Sequence, residues 1–325
     1  MTTTPLTSLE ICAGAGGQAL GLEAAGFEHA CLVEIDPHAV NTLRLNRPEW
    51  NVIQADLRDF DATPYAGQID LLAGGPPCQP FSHGGQQHGQ HDDRDLFPEA
   101  IRLTRECQPQ AVMLENVRGL LDPKFAEYRQ YITGGFEALG YRVQWNLLNS
   151  SDHGVPQLRP RVILVALRPH LAPAFHWPEP SATPAPTVGQ TLEDLMAAGG
   201  WAGAQAWAQG ANTIAPTIVG GSKKHGGADL GPTRSKRAWA ALGVNGHLLA
   251  NEAPGPDHEG MPHLTVRMAA RLQGFPDDWA FAGRKTASYR QVGNAFPPPV
   301  AAAVGAQIHR SIRAGQRQEA LTAAI

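Results

Sequence analysis

Long apolar runs are missing from this sequence. No stretch of its 325 residues approaches the roughly 18 apolar positions that a membrane span needs, and the start, MTTTPLTSLE, lacks the basic and apolar regions of an export signal. Cysteine is scarce: Cys12, Cys31, Cys78 and Cys107 form no C-x-x-C pair, which removes the common zinc and dithiol signatures. These absences point to a soluble protein of a reducing, cytoplasmic compartment with no membrane role. Basic charge is not in excess either. A net charge of -4 and a pI near 6.3 give no whole-chain footprint for nucleic acid, so any basic surface must be local. Internal repeats and low-complexity tails are absent as well.

What is present is a chain with 42 % hydrophobic residues, enough for one large core or two unequal domains. Strands are expected over residues 7–12, 30–33, 52–55, 69–73, 111–114, 142–148 and 161–167, with helical segments between several of them. Phe125, Tyr128, Ile132, Phe136 and Leu139 recur at three and four residues, the stripe of an amphipathic helix. Such alternation predicts an α/β fold with a doubly wound, mostly parallel sheet. Residues 168–187 carry six prolines and read as a surface linker. Residues 188–262 are glycine-rich with short, weakly periodic segments, suiting a smaller irregular domain, and helical signals return at 266–272 and 300–312.

Several motifs fall at expected strand ends. Gly14, Gly16 and Gly17 follow the first strand, where a doubly wound sheet brings a ligand close to backbone. Glu34 ends the second strand, placed to accept from ribose hydroxyls, and Asp56 follows the third, placed to accept from an adenine amino group. Ordinary tight turns with solvated acids would look similar. GGPPCQPFS, residues 74–82, follows the fourth strand and puts Cys78 in a proline-stiffened loop with little to pack it, a poor place for a core thiol and a good one for a nucleophile. Glu115, in Glu115-Asn116-Val117, ends the fifth strand, either at a site or at the solvated end of the sheet. Gln157, Arg159 and Arg161 alternate along an extended segment, which puts three polar side chains on one face.

With Arg271-Leu272-Gln273-Gly274-Phe275-Pro276 and Gln291-Val292-Gly293-Asn294-Ala295, this set resembles the DNA cytosine-5 methyltransferases in order and spacing, over residues 7–167 and 263–312. The resemblance implies a Rossmann-like fold binding S-adenosylmethionine, released as S-adenosylhomocysteine, with no metal. It implies a discontinuous catalytic domain, residues 1–167 plus 286–325, and a small domain, 168–285, holding target recognition at about 188–262. Cys78 would add to C6 of a flipped cytosine, Glu115 would protonate N3, Arg161 would hold O2 and Arg159 would steady the glutamate. Cofactor contacts would come from Cys12, Gly14, Gly16, Gly17, Glu34, Ile35, Asp56, Pro76, Leu96 and Asn294. Cys12, Ile35 and Phe296 depart from the family's usual Phe, aromatic and Val, and the first two reduce stacking on adenine.

Residues 83–94, three of them histidines, read as a mobile loop closing over the base rather than a metal site, with Ser82 at its hinge as a DNA contact. Lys223, Lys224, Arg234, Lys236 and Arg237 stand against one acid, Asp229, and form the local basic surface expected to meet DNA phosphates. The implied partner is duplex DNA with a short target site, in a nucleoid-associated prokaryotic enzyme accompanied by a cognate restriction endonuclease. A tRNA methyltransferase of the same family and a non-catalytic DNA-binding regulator are the competing readings. A nicotinamide-dependent oxidoreductase would leave the Pro-Cys loop unexplained.

Overall fold

The computed structural model describes residues 4–77, 95–220 and 227–323, so Cys78, Ser82, Lys223, Lys224 and the loop at 83–94 lie outside the described residues. Its first half alternates strands and helices: β1 (Leu6–Ile11), α1 (Gly17–Ala24), β2 (Phe27–Glu34), α2 (Pro37–Asn46), β3 (Val52–Gln54), β4 (Leu71–Gly74), α3 (Phe97–Cys107), β5 (Ala111–Val117), α4 (Ala126–Ala138), β6 (Arg142–Asn149) and β7 (Pro160–Leu167). They build one seven-stranded sheet in the order β3-β2-β1-β4-β5-β7-β6. Only β7 runs against its neighbours. The fold is Rossmann-like, a doubly wound α/β sheet of mostly parallel strands.

Strand order reverses between β1 and β4, whose carboxyl ends pair side by side, Ile11 against Gly74. Ligands of open α/β sheets bind outside such a switch point, because the loops leaving the two strands diverge and open a crevice there. Both the glycine turn after β1 and the Pro-Pro-Cys loop after β4 start from it.

Period-two burial sorts the sheet residues onto two cores. Leu9, Ile11, Val112, Leu114 and Leu164 face α3 and α4, where Tyr128, Ile132 and Phe136 are the buried stripe and Leu139 is half-buried at the helix end. Leu6, Met113, Ile163 and Val165 face α1 and α10 (Pro298–Ala323). The two helices touch closely: a Cβ on Gly21 would lie 2.4 Å from the Pro298 carbonyl oxygen, so glycine is required.

Several elements differ in extent from the sequence expectation. β2 starts at Phe27 rather than 30, and β5 runs through Val117, so Glu115 and Asn116 lie within the strand. The proline-rich stretch is not wholly a surface linker. Leu171 and Phe175 are buried beneath α10, and Ser311 Oγ donates to the Leu171 carbonyl at 2.7 Å, because their large apolar side chains find the open edge of that core. Residues 179–184 are exposed.

Beyond them come α5 (Val188–Ala197), α6 (Ala204–Gly210), α7 (Thr233–Ala240), α8 (Val266–Leu272) and α9 (Lys285–Asn294). Thr187 caps α5 and Thr265 caps α8, each accepting from the third helical N–H. Trp207, Trp239, Leu249 and Leu272 bury themselves in a cluster that also contains Leu20, Val40 and Leu43 of α1 and α2. Residues 188–292 therefore share a core with one flank of the sheet. No described helix is long and apolar enough to cross a membrane.

Candidate active site

β1 gives way to a turn in which Cys12, Gly14 and Gly16 have φ of 51°, 54° and 87°. Glycine adopts this left-handed region freely, whereas Cys12 holds it at a cost of order 1–3 kcal/mol, a strain typical of ligand loops. The turn is clamped from the distant end of the chain. Trp279 Nε1 donates to the Ala15 carbonyl at 3.1 Å, and a Cβ on Gly17 would lie 2.3 Å from the Phe296 carbonyl oxygen. Gly14 N–H donates to Glu34 Oε2 at 2.8 Å, and Asp36 N–H donates to Oε1 at 2.7 Å. Burial raises the Glu34 pKa against the pull of these bonds.

Asp56 lies close enough to act, with Glu34, on the Cys12 thiol, which burial first and these carboxylates next push up. Nothing would meet a Cβ at Gly14 within 4 Å, and Ile35 is 58 % exposed, so the turn presents an open surface. Pro76 is buried, Leu96 is half-buried at the start of α3, and Asn294 is exposed at the end of α9. Arg290 joins α9 to Asp36 at 3.2 Å, tying that helix to the end of β2.

Sequence reasoning missed Glu10, whose signal was an acid inside an otherwise apolar strand. It is fully buried on the α1 face, neither carboxyl oxygen has a hydrogen-bond partner, and Gln18 Nε2 on the other side of the turn is buried without one too. Burial, then the Glu34 charge, push the Glu10 carboxyl well above the usual carboxylate range. Its native state thus keeps a proton that the unfolded chain releases, and stability falls as pH rises from the ordinary carboxylate range to the raised native value. Glu10→Gln is expected to be more stable than the wild type at pH 8 by about 1–3 kcal/mol in ligand-free urea denaturation, with the curves converging below the ordinary range. A difference independent of pH would contradict this.

The candidate carboxyl, Glu115, comes from β5. Val117 pairs directly with Arg161 of β7, so Glu115 lies diagonally across the same face, and Arg161 Nε meets Glu115 Oε1 at 2.6 Å. A guanidinium this close pulls a carboxyl pKa down, yet both side chains are only 10 % exposed and burial outweighs the pair, so Glu115 is raised. A Cβ on Gly75 would lie 3.3 Å from Glu115 Oε2, and Asn116 Nδ2 donates to the Pro76 carbonyl at 3.1 Å. The chain leading to Cys78 therefore leaves the sheet beside this carboxyl.

Of Gln157, Arg159 and Arg161, Arg161 pairs directly with Glu115. Arg159 acts on that carboxyl at longer range, because its guanidinium is taken by carbonyl oxygens of residues 218, 293 and 295. Gln157 turns to Gln273, donating to Oε1 at 2.6 Å. In the basic segment, Lys236 is not a free surface charge: it pairs with Asp229 at 2.8 Å and is half-buried. Arg234 and Arg237 are exposed on α7, one turn apart, above a fully buried Trp239. Among the described residues, no group of three or more His, Cys, Asp or Glu is placed to hold a metal ion.

Comparison with known proteins bears directly on this geometry. Residues 6–310 match the profile of the C-5 cytosine-specific DNA methylases. The chain is 56 % identical over 314 residues to the Type II methyltransferase M.NgoMIV of Neisseria gonorrhoeae, covering 94 % of this chain and 98 % of that protein. It is also 56 % identical over 313 residues to the Type II methyltransferase M.NaeI of Lentzea aerocolonigenes, covering 94 % and 75 %. Among solved structures, the Entamoeba histolytica methyltransferase EhMeth shares the fold with a TM-score of 0.67 at 13 % identity, covering 95 % of this chain and 99 % of that one. With a matching profile over nearly its whole length and a buried carboxyl–arginine pair on β5 and β7, beside the chain leaving β4 of a Rossmann-like sheet, the chain belongs to the C-5 cytosine-specific DNA methylase family, S-adenosylmethionine-dependent enzymes that methylate cytosine.

Proposed function

We propose that this enzyme is a site-specific modification methyltransferase acting on one flipped cytosine within a short target in duplex DNA. The observation that carries the reading is Glu115: a buried carboxyl, raised in pKa and held by Arg161, beside the loop that leads to Cys78. C5 of cytosine is a weak nucleophile in an aromatic ring. Addition of the Cys78 thiolate to C6 breaks the aromaticity, and a proton from Glu115 to N3 neutralises the charge that accumulates as sulfur adds, leaving C5 enamine-like. Arg161 reaches toward the base O2 while holding the carboxyl. Glu34 and Asp56, with Cys12, Gly14, Gly16, Gly17, Ile35, Pro76, Leu96 and Asn294, would hold S-adenosylmethionine, which would supply an electrophilic sulfonium methyl to C5. Loss of the C5 proton to solvent then expels the Cys78 thiolate and restores the ring, and the N3 proton returns to Glu115.

C5 and C6 are unreachable in a stacked duplex, so the base is extruded into this pocket. Residues 1–167 with 286–325 carry the chemistry and residues 168–285 the recognition, with Arg234 and Arg237 on phosphates. Lys223, Lys224 and Ser82 are assigned to DNA from sequence alone. Two relatives of 56 % identity named Type II methyltransferases support a role beside a cognate restriction endonuclease.

Purified protein, S-adenosylmethionine and unmethylated plasmid, followed by bisulfite sequencing, is expected to give 5-methylcytosine at one short recurrent site. Methylation of a tRNA transcript with none of the plasmid would replace this reading with the tRNA one.

A further inference from the structure

Residues 215–218 of the recognition region lie along the lead-in to β7 as if they were one more strand. Gln157 and Ala215 form a parallel bridge, Ala215 N–H donates to the Pro156 carbonyl at 2.9 Å, and Leu158 N–H donates to the Ala215 carbonyl at 2.7 Å. Thr217 Oγ1 donates to the Leu158 carbonyl. Ile218 is gripped at both polar groups: its N–H donates to Gln157 Oε1 at 2.8 Å, and its carbonyl accepts from Arg159 Nη1 at 2.7 Å. Arg159 Nη2 reaches the other way, to the Gly293 and Ala295 carbonyls at 2.7 and 2.9 Å, where α9 ends. Gly220 and Gly293 meet there backbone to backbone: a Cβ on Gly293 would lie 2.3 Å from the Gly220 nitrogen.

One fully buried guanidinium thus joins three segments: the approach to Arg161, the recognition strand, and the end of α9 at Asn294. A charge taken from water is costly unless it keeps its partners, and the planar fork of arginine reaches carbonyls on two sides at once through Nη1 and Nη2. Unseating the recognition strand therefore takes a buried partner from this guanidinium. Arg161, two residues on, then meets Glu115 in the geometry described above.

We infer that Arg159 is a positioning residue that couples the seating of recognition residues 215–220 to the catalytic Glu115–Arg161 pair, so that target discrimination depends on it. The inference rests on the proposed DNA reading. A correct target leaves the strand seated and the pair assembled. An incorrect one draws the strand off, and Arg159 passes the displacement to Arg161.

The test is single-turnover methylation by Arg159→Lys of two duplex oligonucleotides, one with the site mapped for the wild type and one with a single changed base pair. Lysine keeps the charge and loses the fork. The expected result is a fall of tenfold or more in the ratio of the two rates, with S-adenosylhomocysteine affinity unchanged, a split between sites that general loss of fold does not produce. An equal fall at both sites, or no change, overturns the inference.

Should Arg159→Lys not fold, Gly220→Ala approaches the same seam from the other strand, because its Cβ would lie 2.5 Å from the Arg290 carbonyl oxygen and 2.7 Å from Asn294 Oδ1. It is expected to lower the ratio likewise, and a retained ratio overturns the inference. A wild type that methylates no DNA sinks the functional reading itself, a result separable from either variant's.

Discussion

Alanine in place of Cys78 is expected to reduce methyl transfer to background while leaving duplex binding within a few-fold of wild type. Methylation at C5 needs a nucleophile at C6, because the aromatic ring offers C5 too little electron density to attack a sulfonium, and no neighbouring group replaces a thiolate in that role. The described residues on the approach fix where this loss is felt. Gly75 lies beside Glu115 Oε2 and the Pro76 carbonyl is held by Asn116, so the loop departs next to the carboxyl that answers the thiol's addition. Binding, in contrast, draws largely on phosphate contacts from basic side chains, which the substitution leaves in place. A duplex with 5-fluorocytosine at the mapped target gives the complementary readout, since fluorine does not leave as a proton does. Wild type is expected to be trapped as a denaturation-resistant complex and Cys78→Ala to escape. Normal turnover by the alanine variant would end the covalent mechanism.

Glu115→Gln carries the second largest expected loss, about 10²–10⁴-fold in kcat, the range for removing a positioned general acid. The amide keeps the shape and can still accept from Arg161, but has no proton to give N3. Its pH dependence discriminates further. Burial raises the Glu115 carboxyl despite Arg161, so the group holds its proton to higher pH than an ordinary glutamate. Wild-type kcat/KM should therefore decline as pH rises through that raised value, as the proton donor disappears. The glutamine variant should lack this alkaline limb. The stability sign is the same as for Glu10: the native state binds more protons than the unfolded chain between the ordinary and the raised values, and stability drops with pH across that window. Retention of the limb in the variant would assign it to another group.

The strand ends were legible in the sequence because apolar runs stop where glycine, proline or an acid begins, as at Ile11, Gly74 and Glu34. Their order in the sheet, and with it the switch point between β1 and β4, was not legible, because it depends on pairing between distant segments. Side-chain partners were not legible. Alternation placed Gln157, Arg159 and Arg161 together, but which of them reaches Glu115 depends on carbonyls supplied by residues 218, 293 and 295, more than fifty positions away. Lys236 counted as surface charge until its folded neighbour Asp229 took it. Glu10 looked like one more strand residue, since nothing local tells a solvated acid from one sealed beneath a helix. Leu171 and Phe175 were hidden by the prolines around them, which describe backbone stiffness and carry no information about where a leucine and a phenylalanine find cover.

The position of α10 bears on how the chain is made. Val300, Ala301, Val304, Ile308 and Ile312 cover Leu6, Leu22, Phe27, Met113 and Ile163, so one face of the sheet keeps part of its apolar surface uncovered until residues 298–312 leave the ribosome. At about 5–20 residues per second, the interval between completing β7 and completing that cover is on the order of 10–30 s. The carbonyls of Gly293 and Ala295 arrive equally late. A growing chain therefore exposes apolar sheet surface for that interval, and the contacts that bury Arg159 form only after the sheet is complete.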